Sequence, residues 1–433
     1  QNVYARVKGF ISKESDLDTV NFNKLVYDVK KQYTDFTYTP NNNMLYLVHN
    51  SLPFEHSGYT FRTHKIIKYL SRQFNVFPLS KLDKNHESDN GVYDDVIYTF
   101  LRFNPGEEKF MDFKSYRYYY NYTQKLIKFI IKNKITKIHA CSSHVNGIPA
   151  VVAGKALNIP VTWEIRGLWE FTSNIKKPDV YSYDSYVFRR LSYFEAWVAK
   201  NADKVYTLTD RMIIEMEERG VSAYKMKSLF NGIQIDTQQI RAKDELLEKD
   251  VADGKFIIGY LGSIVQYEGL KYLIHAIDIL NNKYPNTFKV HIFGSGVDQP
   301  NLEKIVNEKY LQEVIKFRGR VTNETIGWYY GQFNLCVLPR INHKLTHLVS
   351  PIKPFEAMYY KTPVLASNLE VTHEYIKDGV TGFLFNPEDV NDLVSKIYNI
   401  YSSKEIVEKV KENCHEWVKN NRTWDKVLEV LLE

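Results

Sequence analysis

The densest group of chemistry-bearing residues lies late in the chain. Leu338-Pro339-Arg340 is followed by Ser350-Pro351-Ile352-Lys353-Pro354-Phe355-Glu356-Ala357-Met358. Lys353 and Glu356 are three apart, so on a helix they share a face. The proline-rich entry suits the first turn of that helix. A helix N-terminus beside Arg340 and Lys353 is an anion site, because unpaired amides, the helix dipole and two cations all favour negative charge. Glu356, one turn in, can accept hydrogen bonds from hydroxyl groups. The plainer alternative is a surface Lys–Glu pair.

Three glycine turns offer the backbone approach that a phosphate needs. The first is Ser57-Gly58, the second Gly262-Ser263 and the third Gly294-Ser295-Gly296. Each is weak alone and could be an ordinary tight turn. None has the spaced glycines of a dinucleotide fingerprint. Two turns in one half make a nucleotide site the better reading there. Earlier, His139 and His144 bracket Cys141-Ser142-Ser143, where a histidine could bond a substrate hydroxyl or be satisfied by backbone groups. Glu164-Ile165-Arg166-Gly167-Leu168-Trp169-Glu170 could form a sugar-binding rim, with charged groups for hydroxyls and an indole for a pyranose face. The alternative is an internal ion pair. Asp94-Asp95 and Asp16-Leu17-Asp18 are the carboxylate clusters nearest to a metal site, and both are set aside because they lie away from these motifs.

These motifs sit where an alternating α/β chain would place them. Met44–His49 is a short apolar run before Gly58, and a helical pattern follows to about Arg72. Further strands are expected at Ile135–His139, Pro160–Ile165, Lys204–Leu208 and Lys227–Phe230, with helices over Tyr122–Lys132, Pro149–Leu157, Tyr186–Asn201 and Asp210–Arg219. The opening pattern repeats with Phe256–Leu261, Gly262 and a helix to Asn282, then Lys289–Phe293 before Gly294. Strands are next expected over 314–317, 334–338 and 363–366, and helices over 323–332, 353–360, 388–402 and 404–420. Two doubly wound halves result, each opening with strand, glycine and helix.

At 433 residues the chain is too long for one core. The expected division is an N-terminal extension of unreadable role (1–43), a Rossmann-like domain (44–236), a charged linker (237–254), a second Rossmann-like domain (255–405) and C-terminal helices (406–433). An apolar fraction of 44% and a charged fraction of 25% exclude disordered, collagenous and coiled-coil chains. No apolar run is long enough to cross a membrane. A net charge of +6 is too mild for a nucleic-acid binder. The 3 cysteines lack disulfide or zinc spacing, which suits a reducing, cytoplasmic setting. The 32 Tyr and 24 Phe read as compositional bias. The Tyr-rich, basic stretch Lys114–Lys125 reads as a solvated helix start, with peripheral membrane contact as the alternative.

Taken in order, Leu45–His64, His139–Ala150, Glu164–Glu170, Ala202–Arg219, Asn231-Gly232-Ile233, Gly259–Ala276, Val290–Gly296, Phe317–Val321 and Pro339–Phe385 resemble the retaining, nucleotide-sugar-dependent glycosyltransferases of family four. The resemblance covers roughly 44–433. It implies the GT-B fold, with two Rossmann-like domains facing across a cleft and a C-terminal helix crossing back near Trp424. It implies transfer of a hexosyl group from a nucleoside-diphosphate sugar of UDP or GDP type to a glycan or lipid-linked acceptor, in cell-surface polysaccharide or glycoconjugate synthesis. The nucleotide sugar is then a co-substrate, with no cofactor, no metal and no nucleic acid. By position, Glu356 resembles the ribose-holding glutamate, Gly262 and Gly294 the nucleotide-pocket turns, Arg320 and Val321 the base-reading segment, and Gly58 the loop near the donor phosphates. His144 resembles the cleft histidine. Arg340 and Lys353 take the leaving phosphate, with Ser350 and Ile352 on the donor-side backbone. Glu164, Arg166 and Trp169 are expected to meet the acceptor.

Three departures qualify the match. The acid seven residues before Glu356 is replaced by Leu348, and His347 is its neighbouring substitute. The basic pair after the first C-terminal strand is replaced by Ser263 and Glu268, which leaves the phosphate to Arg340 and Lys353. The glycine-rich entry to the Glu356 helix is Val349-Ser350-Pro351. Epimerase or phosphorylase chemistry on the same fold, or a non-catalytic sugar-binding module, are the competing readings.

Overall fold

The computed structural model describes residues 21–80, 89–102, 115–234 and 240–432. The chain divides into two compact units. The first runs to Leu229 and takes back the chain from Val430, and the second is Phe230–Glu429.

The first unit contains α1 (Phe22–Lys30), β1 (Asn43–Val48), α2 (Gly58–Leu70), β2 (Asn75–Ser80), β3 (Asn90–Tyr93), β4 (Val96–Phe100), α3 (Tyr116–Lys132), β5 (Lys137–Cys141), α4 (His144–Leu157), β6 (Val161–Ile165), α5 (Trp169–Lys176), α6 (Tyr186–Asn201), β7 (Lys204–Thr207), α7 (Asp210–Glu218) and β8 (Met226–Ser228). Its 8-stranded sheet has the order β3-β4-β2-β1-β5-β6-β7-β8. Only the β3–β4 pair is antiparallel among the described pairings. Strand β1 lies between β2 and β5 and runs parallel to both, so the direction in which strands are added reverses there. Ligands of open α/β sheets bind at the carboxyl ends beside such a switch.

The second unit contains α8 (Glu245–Ala252), β9 (Phe256–Leu261), α9 (Leu270–Lys283), β10 (Phe288–Phe293), α10 (Gln299–Glu308), β11 (Ile315–Phe317), α11 (Ile326–Gln332), β12 (Leu335–Leu338), α12 (Lys344–Leu348), α13 (Lys353–Tyr359), β13 (Val364–Ser367), β14 (Phe383–Phe385), α14 (Val390–Ser402), α15 (Lys404–Asn421) and α16 (Trp424–Leu428). Its 6-stranded sheet, β11-β10-β9-β12-β13-β14, is parallel throughout and switches between β9 and β12.

Several elements differ from the sequence expectation. Helix α1 falls inside the N-terminal extension 1–43, for which no element was expected. Its Phe22, Leu25 and Val29 are buried, a helical spacing hidden among polar residues. Helix α3 starts six residues before the expected Tyr122, because Ser115 caps it by accepting from the Tyr118 amide at 3.1 Å. Tyr118, Tyr119 and Tyr122 are buried, so the tyrosines of that stretch largely serve the core rather than a membrane face; Lys114 and Asp16-Leu17-Asp18 lie outside the described residues. Tyr46, Tyr98, Tyr260 and Tyr330 are likewise fully buried, which puts much of the aromatic excess to use in packing. Helix α4 starts at His144, with Pro149 inside it rather than at its first turn.

The expected linker 237–254 is corrected too. Helix α8 occupies its second half, capped by Asp244 and burying Leu247 and Asp250. Asp250 bonds His291 at 3.0 Å and Asp244 bonds Arg318 at 2.7 Å, so charge in this stretch fastens it to the second unit. Helix α15 also belongs to that unit's core through Val407, Val410, Cys414 and Val418. Only the chain beyond α16 returns to the first unit, where the Val430 carbonyl accepts from Tyr206 at 3.0 Å.

Candidate active site

In the second unit, two glycine turns build a cradle at the carboxyl ends of β9 and β10. Gly262 has φ +149° and Gly294 φ +133°, conformations that strongly favour glycine. A Cβ on Gly294 would come within 1.9 Å of the Gly262 carbonyl oxygen, so the turns touch backbone to backbone. A Cβ on Gly262 would come within 2.1 Å of Lys353 Cε. The missing side chain therefore lets Lys353 lie across the strand end. Its Nζ donates to the Tyr260 hydroxyl at 2.6 Å and sits over that ring.

Lys353 Nζ also pairs with Glu268 at 2.8 Å. Arg340, at the end of β12, donates to the Val349 carbonyl at 2.7 Å, while its Nε stands 3.8 Å from Glu268. Burial alone would raise the Glu268 carboxyl, but the charges of Lys353 and Arg340 outweigh it and hold it below the usual carboxylate value. Burial lowers the Lys353 ammonium, with Glu268 opposing. Sequence reasoning placed Glu268 where a cation was expected but gave it no role.

Glu356 lies on α13, half-buried, with Tyr330 donating to it at 3.4 Å. Burial pushes its carboxyl up to about 7, against the pull of the Tyr330 hydroxyl and the Lys353 charge. Ile352 is the N-cap residue of α13, and no side chain caps that helix. Ser350 is buried, and its carbonyl accepts from Asn231 at 2.8 Å, which ties the Asn231-Gly232 turn to the site. Leu348, in the place of an acid, is buried. His347 does not replace it: its Nε2 meets Asn342 at 2.8 Å and its Nδ1 accepts from the Glu370 amide at 3.3 Å. Arg320 is exposed and donates to Ser295 Oγ at 2.7 Å, beside the Gly294 turn. Val321 lines a neighbouring depression of about 400 Å³ with Phe293, Arg318, Tyr329 and Lys243.

In the first unit, Ser57 caps α2 through a reciprocal bond pair with Thr60, which makes Gly58 the first helical residue. His144 opens α4 at the end of β5. Its backbone amide donates to Glu195 Oε1 at 2.7 Å, and its Nδ1 lies 3.3 Å from the same oxygen. One carboxylate from α6 thus replaces the missing Ser143 side-chain cap and orients the imidazole. With Nδ1–H directed at Glu195, Nε2 is the ring atom left for a ligand. The signal for Glu195 was an acid within the apolar run Phe194-Glu195-Ala196-Trp197-Val198, and sequence reasoning missed it. Trp169 is 37% exposed and stands edge-on to both His49 and His144.

Glu164 and Arg166 are not on a rim. Glu164 is fully buried, and its two oxygens accept from Arg62, Arg166, Tyr46 and His139 at 2.9–3.1 Å. Arg166 donates further to Thr63 and the Tyr59 carbonyl. The strand direction explains the error: Glu164 pairs with Cys141 inside β6, one step too early to leave the sheet. His139, Cys141 and Glu164 bring three ligand atoms within 4.8 Å of one another, but the two guanidiniums already occupy the carboxylate. Asp94 sits on the surface, paired with His64 and Lys68.

Two family models match in tandem. Residues 56–237 match Glycosyltransferase Family 4, and residues 242–424 match Glycosyl transferases group 1. An uncharacterized 41.2 kDa protein of the cps region of Klebsiella pneumoniae is 26% identical, over 68% of this chain and 77% of its own length. The alpha-D-kanosaminyltransferase of Streptomyces kanamyceticus is also 26% identical, over 51% of this chain and 56% of its own. Among solved structures, HepE of Anabaena superposes with a TM-score of 0.70 at 14% identity, covering 90% of this chain and 98% of that one. The sucrose-phosphate synthase of Thermosynechococcus elongatus gives 0.67 at 16%, covering 90% and 97%. Two Rossmann-like units, paired glycine turns at strand ends and both halves of a family match lead to one placement: the chain belongs to the GT-B-fold glycosyltransferases of the group 1 and family 4 type.

Proposed function

We propose that the protein is a retaining glycosyltransferase that moves a hexosyl group from a UDP- or GDP-type sugar to a glycan or lipid-linked acceptor in cell-surface polysaccharide or glycoconjugate synthesis. The observation that carries this reading is the placement of Lys353 across the Gly262 turn, with Arg340 and Glu356 on adjoining segments. Relatives lend support. HepE has been solved with UDP and with UDP-glucose, and a capsular polysaccharide glycosyltransferase of Staphylococcus aureus is 23% identical over 44% of this chain.

In this reading the second unit holds the donor. The bond from the anomeric carbon to the phosphate oxygen breaks, and its electron pair stays on the leaving diphosphate. Lys353 and Arg340 meet that charge as it grows, which stabilises the transition state more than the ground state. Glu356 accepts from ribose hydroxyls. The acceptor oxygen attacks from the face the phosphate leaves, and its proton passes to a phosphate oxygen, so configuration is retained without a protein base. Side-chain cations fill the role a metal would otherwise take. In the same reading, His144 Nε2 bonds the reacting sugars and the exposed Trp169 edge stacks on them from the first unit. The described residues include no helix long and apolar enough to cross a membrane, and a cytoplasmic site of action is part of the proposal.

The test is donor turnover with and without acceptor. Cleavage of UDP- or GDP-sugar that requires an acceptor and yields the retained anomer supports the reading. Isomerisation of the donor without acceptor, or a strict need for inorganic phosphate, replaces it with epimerase or phosphorylase chemistry.

A further inference from the structure

The donor cradle contains an anion of its own. Glu268 is buried beside the two cations assigned to the leaving diphosphate. It is held there by backbone geometry. Gly269, the next residue, has φ +68°, and a Cβ on it would come within 1.9 Å of the Pro339 carbonyl oxygen. The turn carrying Glu268 is thereby wedged against the residue before Arg340.

The fit between Glu268 and its cations is incomplete. Lys353 Nζ makes one short contact to it and one to Tyr260, which leaves one of its three donors. Arg340 Nε is buried and has no hydrogen-bond partner among the described residues. Lys353 and Arg340 together offer more donors than Glu268 accepts, so the cradle keeps spare donors. A diphosphate carries more charge and more acceptor oxygens than a carboxylate, and it can use all of them.

We propose that Glu268 is a built-in competitor of the donor's diphosphate for Lys353 and Arg340. The inference rests on reading this cradle as the donor site, and it adds a specificity rule and a release step. A ligand must bring more than a single negative charge to take the cations from Glu268. After transfer, the carboxylate reclaims Lys353 and hastens departure of the nucleoside diphosphate. With that carboxylate neutralised, the same two cations would hold the nucleoside diphosphate more tightly.

Calorimetry with UDP and GDP tests this on the wild type, Glu268→Gln and Glu268→Asp, with uridine and guanosine as uncharged controls. Whichever diphosphate binds the wild type is expected to bind Glu268→Gln about tenfold tighter, roughly 1.4 kcal/mol. Glu268→Asp, which keeps the charge, stays near the wild type, and the nucleosides show no gain. Circular dichroism checks the fold. If Glu268→Gln fails to fold, Glu268→Met carries the same expectation through an apolar side chain of similar volume. Equal or weaker diphosphate binding by a folded neutral variant overturns the proposal, as does an equal gain for the nucleosides. Failure of both diphosphates to bind the wild type at millimolar concentration overturns the donor-site reading, and the proposal with it.

Discussion

Among the described residues, two buried carboxylates can be compared directly, each set between two cations, one inside strand β6 and one in the turn that follows β9. Glu164 lies between Arg62 and Arg166, and Glu268 lies between Lys353 and Arg340. Their compositions are nearly equal and their chemistry is not. Glu164 receives matched guanidinium bonds at 2.9–3.0 Å and three further partners, Tyr46, His139 and Cys141. Glu268 has one close cation and a second at 3.8 Å. A saturated cluster has no donor to lend a ligand and serves to lock strands and helix together. An unsaturated one retains donors, and a ligand that supplies better acceptors can bind. Satisfaction of hydrogen bonds, rather than the count of charges, separates framework from site.

The largest effect falls on the saturated cluster. Glu164→Ala would leave Arg62 and Arg166 buried without their counter-ion, a loss of about 3–5 kcal/mol. Urea unfolding followed by circular dichroism measures it, and a loss below about 1 kcal/mol would make Glu164 a site residue after all. Acid should act on the same cluster. Burial raises the Glu164 carboxyl, but Arg166 and Arg62 hold it well below the value it has unfolded. Its contribution is therefore complete above the unfolded carboxylate value, near 4.3, and drains as pH falls towards the folded value.

Next comes the unsaturated cluster. Lys353→Ala should lower kcat by about 10²–10³, as loss of one preorganised transition-state donor does, with urea stability changed far less than in Glu164→Ala. Equal damage to folding and turnover would erase the distinction between the clusters.

Glu356 sharpens the contrast through pH. Burial pushes it up to about 7, so this carboxyl titrates within the assay range while Glu164 does not. The ionised form accepts from hydroxyls, and kcat/KM for the donor should rise as pH passes from about 6 to 8. In Glu356→Gln that limb should flatten, at a rate about tenfold lower than the high-pH wild type. A limb that persists in Glu356→Gln belongs to another group.

Much of this arrangement was legible in the chain. Apolar strands ending in Gly262 and Gly294 pointed to the second doubly wound unit, because a glycine just past a buried strand marks a sharp turn that residues with a Cβ seldom make, whereas Gly58 opens helix α2 ten residues after β1 and makes no such turn. Lys353 and Glu356 were readable from helical spacing. Glu164 and Arg166 were misread because sequence shows where a strand tends to end, not which residue is the last one inside it. Arg62, which completes their cluster, lies 102 positions from Glu164 and carries no local signal. Glu195 was hidden similarly, as an acid in an apolar helix whose partner arrives from another element. Short elements such as α1 and α8 escaped because their apolar residues are few and their anchoring is tertiary.

Glu195 is the intermediate case, and the smallest expected effect. Its Oε1 takes both the His144 amide and Nδ1, while Oε2 is buried with no partner among the described residues. Half of the carboxylate is saturated and half is not, so it should act through geometry more than charge. Glu195→Gln keeps an acceptor for both N–H groups and should lower kcat only about two- to threefold, close to the worth of a neutral bond against a charged one. Glu195→Ala removes the acceptor, frees the ring to adopt its other tautomer, and should cost about tenfold in kcat with little change in donor KM. Nitrogen-15 shifts of the His144 ring separate geometry from stability. They should report Nδ1–H in the wild type and in Glu195→Gln, and a mixture in Glu195→Ala. A wild-type tautomer in an inactive Glu195→Ala would place this carboxylate with Glu164, as framework, and leave only Glu268 in the unsaturated class.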